Sequence, residues 1–198
     1  MSVQDVNLAE LVGSRICHDL ISPVGAITNG MELLEMVGSM QGPEMELISG
    51  SVTNAAAKIR FFRVAFGAAS DQPLGRAEVT GLLKDVEQSG RLRVHWAVGE
   101  AVPRDQVKLV FLALMCCESA MPMGGEATVE AQDGGWVVTA TADKLNVVGD
   151  LWTNIGSGRF ADQITPAQVQ FALLPQAATA RGRRVMAETT PTRLTIRF

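Results

Sequence analysis

The chain has two histidines, His18 and His95, in different settings. His95 lies in the alternating run Arg93-Val94-His95-Trp96-Ala97-Val98, which reads as a strand carrying the ring on one face, and it is assigned no role. His18 lies in a long helical stretch. At about 100° per residue, Ile16, Leu20, Val24, Ile27, Met31 and Leu34 form one apolar stripe, and His18 falls roughly opposite its centre. Its helical neighbours, Ser14, Arg15, Ser22 and Gly25 beside Ile21 and Leu11, are mostly small or polar, which predicts an accessible imidazole. A neutral imidazole is nucleophilic near pH 7, so it can take a phosphoryl group from an acyl phosphate and give it up again. Asp19 is adjacent. Its carboxylate could orient the ring through the other nitrogen, fix the tautomer, and balance the positive charge that appears as phosphorus bonds. Arg15, one turn earlier, could steady phosphoryl oxygens by charge-assisted hydrogen bonds. Ser22 keeps the surface small, and Pro23 lacks an N–H, which predicts a loosened or kinked helix beside the histidine. Each residue also has an ordinary reading: a surface histidine, a solvated helix acid, a surface cation and a tolerated kink.

The element that must carry His18 runs from about Asn7 to Met36 and is closed by the breaker cluster Gly38-Ser39-Met40-Gln41-Gly42-Pro43. A second helix follows, to about Phe66. Two long helices joined by a short loop form an antiparallel hairpin with apolar surface left over, which a homodimeric four-helix bundle would cover. The small, polar and proline residues of Ala68-Ala69-Ser70-Asp71-Gln72-Pro73-Leu74-Gly75 interrupt all periodicity and mark a linker. The division is therefore a helical hairpin over residues 1–69 and a second domain over 75–198.

In the second domain the patterns predict a helix over Ala77 to Gln88, a strand over Leu92 to Val98 and an apolar helix over Asp105 to Ser119. Strands Ala127 to Ala131 and Trp136 to Ala142 flank the turn signature Asp133-Gly134-Gly135. An irregular region from Asn146 to Gly158, a helix over Pro166 to Ala180, and strands over Val185 to Glu188 and Arg193 to Phe198 complete the chain. The fold class is α+β, with the second domain an α/β sandwich that has helices on one face of a mixed sheet.

Composition narrows the function classes. Apolar residues make up 47% of the chain, ample for a core, and a formal charge of −4 argues against a nucleic-acid footprint. The start lacks the basic and apolar regions of a secretory signal, and the longest apolar run, Leu109 to Cys117, is too short for a bilayer, so a cytoplasmic protein without membrane partners is expected. Three cysteines, Cys17 and the adjacent Cys116 and Cys117, suit reduced thiols better than a bridge.

The stretch Ser14-Arg15-Ile16-Cys17-His18-Asp19-Leu20-Ile21-Ser22-Pro23-Val24-Gly25-Ala26-Ile27 resembles the phospho-acceptor box of two-component histidine kinases, with its His-acidic pair and a proline five residues after the histidine. Carried on through Asn29-Gly30-Met31-Glu32-Leu33-Leu34-Glu35, it resembles the ChpT family of histidine phosphotransferases over essentially the whole chain. The second domain resembles a kinase ATP-binding domain that has lost its nucleotide chemistry. Cys116 stands where the resemblance places a magnesium-binding asparagine, and a thiol is a poor ligand for a hard cation. The kinase pattern of aspartate and two spaced glycines appears as Asp143-Lys144-Leu145-Asn146, and Ile164-Thr165-Pro166-Ala167-Gln168-Val169 replaces the glycine-rich loop. Gly156-Ser157-Gly158 reads as a flexible turn.

The resemblance implies a homodimeric phosphorelay intermediate, with His18 as phospho-acceptor and Asp19 orienting its ring. Phosphate would pass from the receiver domain of a hybrid histidine kinase resembling CckA to response regulators resembling CtrA and CpdR. It implies no ATP and no bound cofactor, with magnesium supplied by the partner's receiver domain. Arg15 and Ser22 are candidates for phosphoryl or receiver contact. Because paired helices rise equally, Phe61-Phe62-Arg63 of the second helix fall level with His18. An exposed aromatic there with Arg63 would suit receiver docking, and bundle core is the competing reading for at least one phenylalanine. Two other functions remain open at this point: a scaffold that binds receivers without moving phosphate, and an ATP-dependent histidine kinase.

Overall fold

The computed structural model describes residues 3–37, 42–68, 72–88, 90–147, 149–156 and 164–198. The helix breakers at 38–41, positions 69–71 of the expected linker, and Ser157-Gly158 lie outside the described residues.

Helix α1, Val3–Val37, runs without interruption through Pro23. Helix α2, Pro43–Ala65, starts with proline at its first turn, where the missing N–H costs nothing, and places Glu44 and Glu46 at the positive end of the helix dipole. The two helices pack along each other and close in at Gly30, where a Cβ would stand 2.6 Å from Ile48 Cγ1. Glycine there leaves the room that the Ile48 side chain fills.

Beyond the hairpin, β1 (Pro73–Leu74), α3 (Arg76–Glu87), β2 (Leu92–Trp96), β3 (Val102–Pro103) and α4 (Arg104–Ala120) follow. Next come β4 (Gly125–Gln132), β5 (Gly135–Thr141), α5 (Gly149–Asn154), a 3-10 turn (Pro166–Gln168), α6 (Val169–Thr179), β6 (Met186–Thr189) and β7 (Arg193–Arg197). The main sheet has the order β2-β4-β5-β7-β6, with β2 and β4 parallel and the other pairs antiparallel. Asp133 and Gly134 both take positive φ, 51° and 74°, which is the turn that matches strand twist in a two-residue hairpin between β4 and β5. Three short elements, β1, β3 and α5, differ from the sequence patterns. Pro73–Leu74, inside the expected linker, pairs antiparallel with Val102–Pro103, a ladder too short to show any period. Helix α5 occupies part of the expected irregular region, held by its single buried residue, Trp152.

Alternation puts Ala127, Val129, Val138, Ala140, Leu194 and Ile196 on the inner face of the sheet, all buried. Against them lies α4, whose residues from Leu109 to Cys117 are buried on every side, the mark of a helix enclosed by other elements. The free edge of β2 is closed by Glu87 of α3, whose carboxylate accepts the Val94 N–H at 2.6 Å.

Helix α4 also carries the hairpin. Phe61 of α2 stacks face to face on Phe111 of α4, centroids 4.5 Å apart and planes 4° from parallel. At the C-terminal end of α2, where carbonyls lack helical donors, Arg104 reaches the Arg63 carbonyl at 3.3 Å and Lys108 reaches that of Gly67 at 2.8 Å. Burial, helped by the charge of Arg181, lowers the pKa of Lys108.

Phe111→Ala removes the floor of this stack and is expected to cost about 3–5 kcal/mol of stability. Phe61→Ala should cost a similar amount, and the double variant less than the sum, since both remove one contact. Urea unfolding of the four proteins gives the comparison.

Candidate functional site

His18 projects from α1 with its side chain 81% exposed, and its Nδ1 lies 3.1 Å from Asp19 Oδ1. Asp19 is mostly covered. Its second oxygen, Oδ2, accepts a 2.7 Å hydrogen bond from Arg15 Nε, the two residues being stacked one helical turn apart. Arg15 is used again on its far side, where NH1 donates to the Ala167 carbonyl at 2.8 Å. That carbonyl belongs to the 3-10 turn before α6, which Pro166 begins and which Gln168 closes by accepting the Thr165 N–H at 3.2 Å. Buried Gln170 fixes the turn from beneath, donating to the Ala167 carbonyl at 2.9 Å and to Ser119 Oγ at 2.8 Å. A continuous set of hydrogen bonds thus joins the second domain to the histidine, through Ala167, Arg15 and Asp19.

The backbone of Asp19 is engaged as well. Its carbonyl accepts a hydrogen bond from Lys58 Nζ of α2 at 3.1 Å. Arg15, Asp19 and Lys58 line one wall of a groove of about 520 Å³ between the hairpin and the second domain, floored by Phe61, Phe62, Leu114 and Phe171. Glu118 of α4 enters the same groove. The residue keeps an exposed surface, yet protein crowds its carboxylate. Desolvation is the largest influence on it and raises its pKa. Arg15 pulls the value down, Asp19 pushes it up and Lys58 pulls it down, and the net direction is upward.

The other expected site residues are placed as follows. Ser22 is exposed one turn beyond His18, and Arg63 is exposed on α2. Phe61 and Phe62 are each only 7% exposed, so the expected surface aromatic is instead a core ring. The cause is α4, which covers this side of α2; Phe62 stacks on Phe66 with centroids 5.3 Å apart. Arg15 is committed to Asp19 and Ala167. Lys58, Glu118 and the Ala167 carbonyl were not anticipated. Lys58 stands one turn before Phe61-Phe62, so the same helix-pair arithmetic could have found it, whereas a backbone carbonyl leaves no mark in a sequence. His95 sits exposed on β2, in register with Thr128 of β4.

The residues at the position expected for a magnesium nucleotide do not fit one. Cys116 and Cys117 are wholly buried in α4. Burial raises the Cys116 thiol well above its usual range and pushes Cys117 up to about 12, so both are kept as neutral thiols. Among the described residues no cluster of acidic, cysteine and histidine side chains could hold a metal ion, and no helix is long and apolar enough to cross a membrane.

Residues 76–193 match the family model of the histidine phosphotransferase C-terminal domain. The protein phosphotransferase ChpT of Brucella abortus (strain 2308) is 34% identical over 154 residues, covering 74% of this chain and 73% of that protein. A solved bacterial phosphotransferase has a TM-score of 0.79 and 29% identity to this chain, and the match covers 100% of this chain and 97% of the other.

The raised Glu118 pKa has a consequence for stability. An acid whose folded pKa exceeds its unfolded value opposes folding once it ionises, so the penalty is absent below the ordinary carboxylate range and grows as pH rises through the folded value. Glu118→Gln is therefore expected to melt at a higher temperature than the native protein at pH 7. The two curves should converge in acid, as followed by circular dichroism across a pH series.

Proposed function

The chain belongs to the ChpT-like histidine phosphotransferase family, and from that premise we propose that His18 carries a phosphoryl group between receiver domains of two-component signalling proteins. The protein is a phosphotransferase; what is proposed is the residue, the route and the partners. The observation that carries the reading is the arrangement at His18: an exposed ring whose Nδ1 faces a carboxylate at 3.1 Å, which leaves Nε2 toward solvent. With its proton on Nδ1 and shared with Asp19, the ring offers the Nε2 lone pair to an incoming phosphorus.

In the forward step Nε2 attacks the phosphorus of a receiver's aspartyl phosphate. The N–P bond forms, the P–O bond to the receiver aspartate breaks, and that aspartate departs as a carboxylate with the bonding pair. The imidazole gains positive charge, which Asp19 balances, and the proton stays on Nδ1. Reversal with a second receiver returns the phosphoryl group to an aspartate and leaves His18 neutral. Both bonds are energy-rich, so the exchange runs in either direction, and catalysis is chiefly a matter of holding the reacting atoms in line. The donor is the receiver of a hybrid histidine kinase and the acceptors are response regulators. No ATP takes part, and the magnesium of the step belongs to the receiver. Ser22, one turn beyond His18, and Arg63 of α2 are exposed and are proposed for receiver docking, while Phe62 is buried beside Arg63 in sequence.

A second copy of the chain completes the hairpin in this reading. Ile21, Val24 and Met31 of α1, with Val52 and Ile59 of α2, are large apolar residues left exposed along the two helices. Exposed apolar residues on both helices of a hairpin suit a partner surface.

Two outcomes are expected. Labelled phosphate should pass from a phosphorylated hybrid-kinase receiver to the native protein but not to His18→Ala, and ATP alone should label neither. Labelling from ATP would make the protein a kinase, and tight receiver binding without labelling would make it a scaffold. Met31→Glu should lower the mass measured by light scattering from that of a dimer toward that of one chain, since a charge placed in an apolar interface costs several kilocalories per mole, roughly 2 or more per copy.

A further inference from the structure

Pro23 leaves a gap in α1 that falls on a particular residue. Each helical N–H bonds the carbonyl four residues back, so the missing donor at Pro23 is the one owed to the carbonyl of Asp19. A carbonyl released in this way ordinarily tilts outward, and the helix bends beside it. Here the helix continues, and the Asp19 carbonyl takes its hydrogen bond from Lys58 Nζ, on the neighbouring helix, at 3.1 Å. The bond is charge-assisted and therefore stronger than the amide bond it replaces. It acts on Asp19, whose carboxylate faces the His18 ring nitrogen.

We propose that Lys58 is a positioning residue for phosphoryl transfer: it supplies the hydrogen bond that Pro23 cannot, and so holds the turn that points Asp19 at His18. The proposal rests on the carrier reading of His18. Because Lys58 belongs to α2, the bond also fixes the two helices of the hairpin against each other at the height of the histidine. The two features are complementary. Pro23 alone would leave the turn beneath His18 loose, and Lys58 alone would add a second bond to an Asp19 carbonyl that the backbone already holds. Lys58 also shares the groove with Glu118, Arg15 and Asp19, so a rival account is that its charge acts on the groove as a whole. The two accounts separate when the missing N–H is restored. In Pro23→Ala the backbone can bond Asp19 directly, which makes the ammonium redundant for positioning and leaves any role of its charge intact.

The test uses the full chain in five forms: native, Lys58→Met, Lys58→Arg, Pro23→Ala, and the double variant Pro23→Ala with Lys58→Met. Each is offered a receiver domain phosphorylated with acetyl phosphate, and the rate of labelling is measured. In parallel, nitrogen NMR reads the tautomer of the His18 ring without any transfer. Lys58→Met should slow labelling about tenfold, the scale of one lost charge-assisted hydrogen bond, and Lys58→Arg should stay within about twofold of native. In the Pro23→Ala background, Lys58→Met should change the rate by less than about twofold. The Nδ1-protonated population should fall in Lys58→Met and recover in the double variant. An equal loss of rate in both backgrounds, or a tautomer signal that Lys58→Met leaves unmoved, would overturn the proposal. If no form is labelled, the carrier reading fails, and the NMR comparison still decides whether Lys58 positions Asp19 against His18.

Discussion

The stack of Phe61 on Phe111 fixes where the reactive helix lies. A two-helix hairpin cannot bury both of its faces, and without a rigid contact its distance from the second domain would be set only by a linker. Phe111 sits in α4, the helix enclosed by the sheet, α6 and α2, so its position is determined by the main core. The parallel rings transmit that position to α2, and Arg104 and Lys108 hold the end of α2 by its unpaired carbonyls. Helix α1 follows α2 through their close approach at Gly30. The location of His18 is thus inherited, step by step, from the most buried part of the molecule.

Its orientation has a different source, and the two converge on Asp19. One carboxylate oxygen faces His18 and the other accepts from Arg15, while the backbone carbonyl accepts from Lys58. Arg15 is in turn bonded to the 3-10 turn of the second domain through Ala167. Two segments distant in sequence from α1 therefore act on one aspartate, Lys58 directly and Ala167 through Arg15, whereas a free helix would supply only the contacts with Arg15 and His18. This gives the second domain a physical part at the site although its own cysteine-lined helix does not suit a magnesium nucleotide. The domain supplies the fixed carbonyl against which Arg15 is braced.

Much of this could be read from the sequence because it is periodic or local. The apolar stripe of α1 placed His18 on the open side, and the adjacent pair His18-Asp19 gave their contact without any tertiary knowledge. Asp133-Gly134 specified a hairpin because only a few residue types accept its positive φ. The rest is hidden where tertiary packing decides. Phe62 and Phe61 share a stretch of α2 with exposed Arg63, and nothing in that pattern shows that α4 covers them. Arg15 has the spacing of a free surface cation, and its second partner lies 152 residues away as a backbone oxygen. Pro23 announces a missing donor, but not that Lys58 of another helix bonds the carbonyl it leaves. Elements such as α5 and β1 are shorter than any period that could announce them.

The Glu87 carboxylate that accepts the Val94 N–H has a bearing on how the chain behaves in a crowded solution. An outermost strand with open amide groups is a template onto which other polypeptides can add, which leads toward fibres and other unwanted assemblies. On the β2 side that template is capped by an acidic side chain that also repels incoming carboxylates. On the β6 side the strand is only four residues long and includes Glu188, so the ladder it can offer is brief and charged. A sheet finished in this way offers little open ladder at either margin, so its hydrogen bonding stays within the fold.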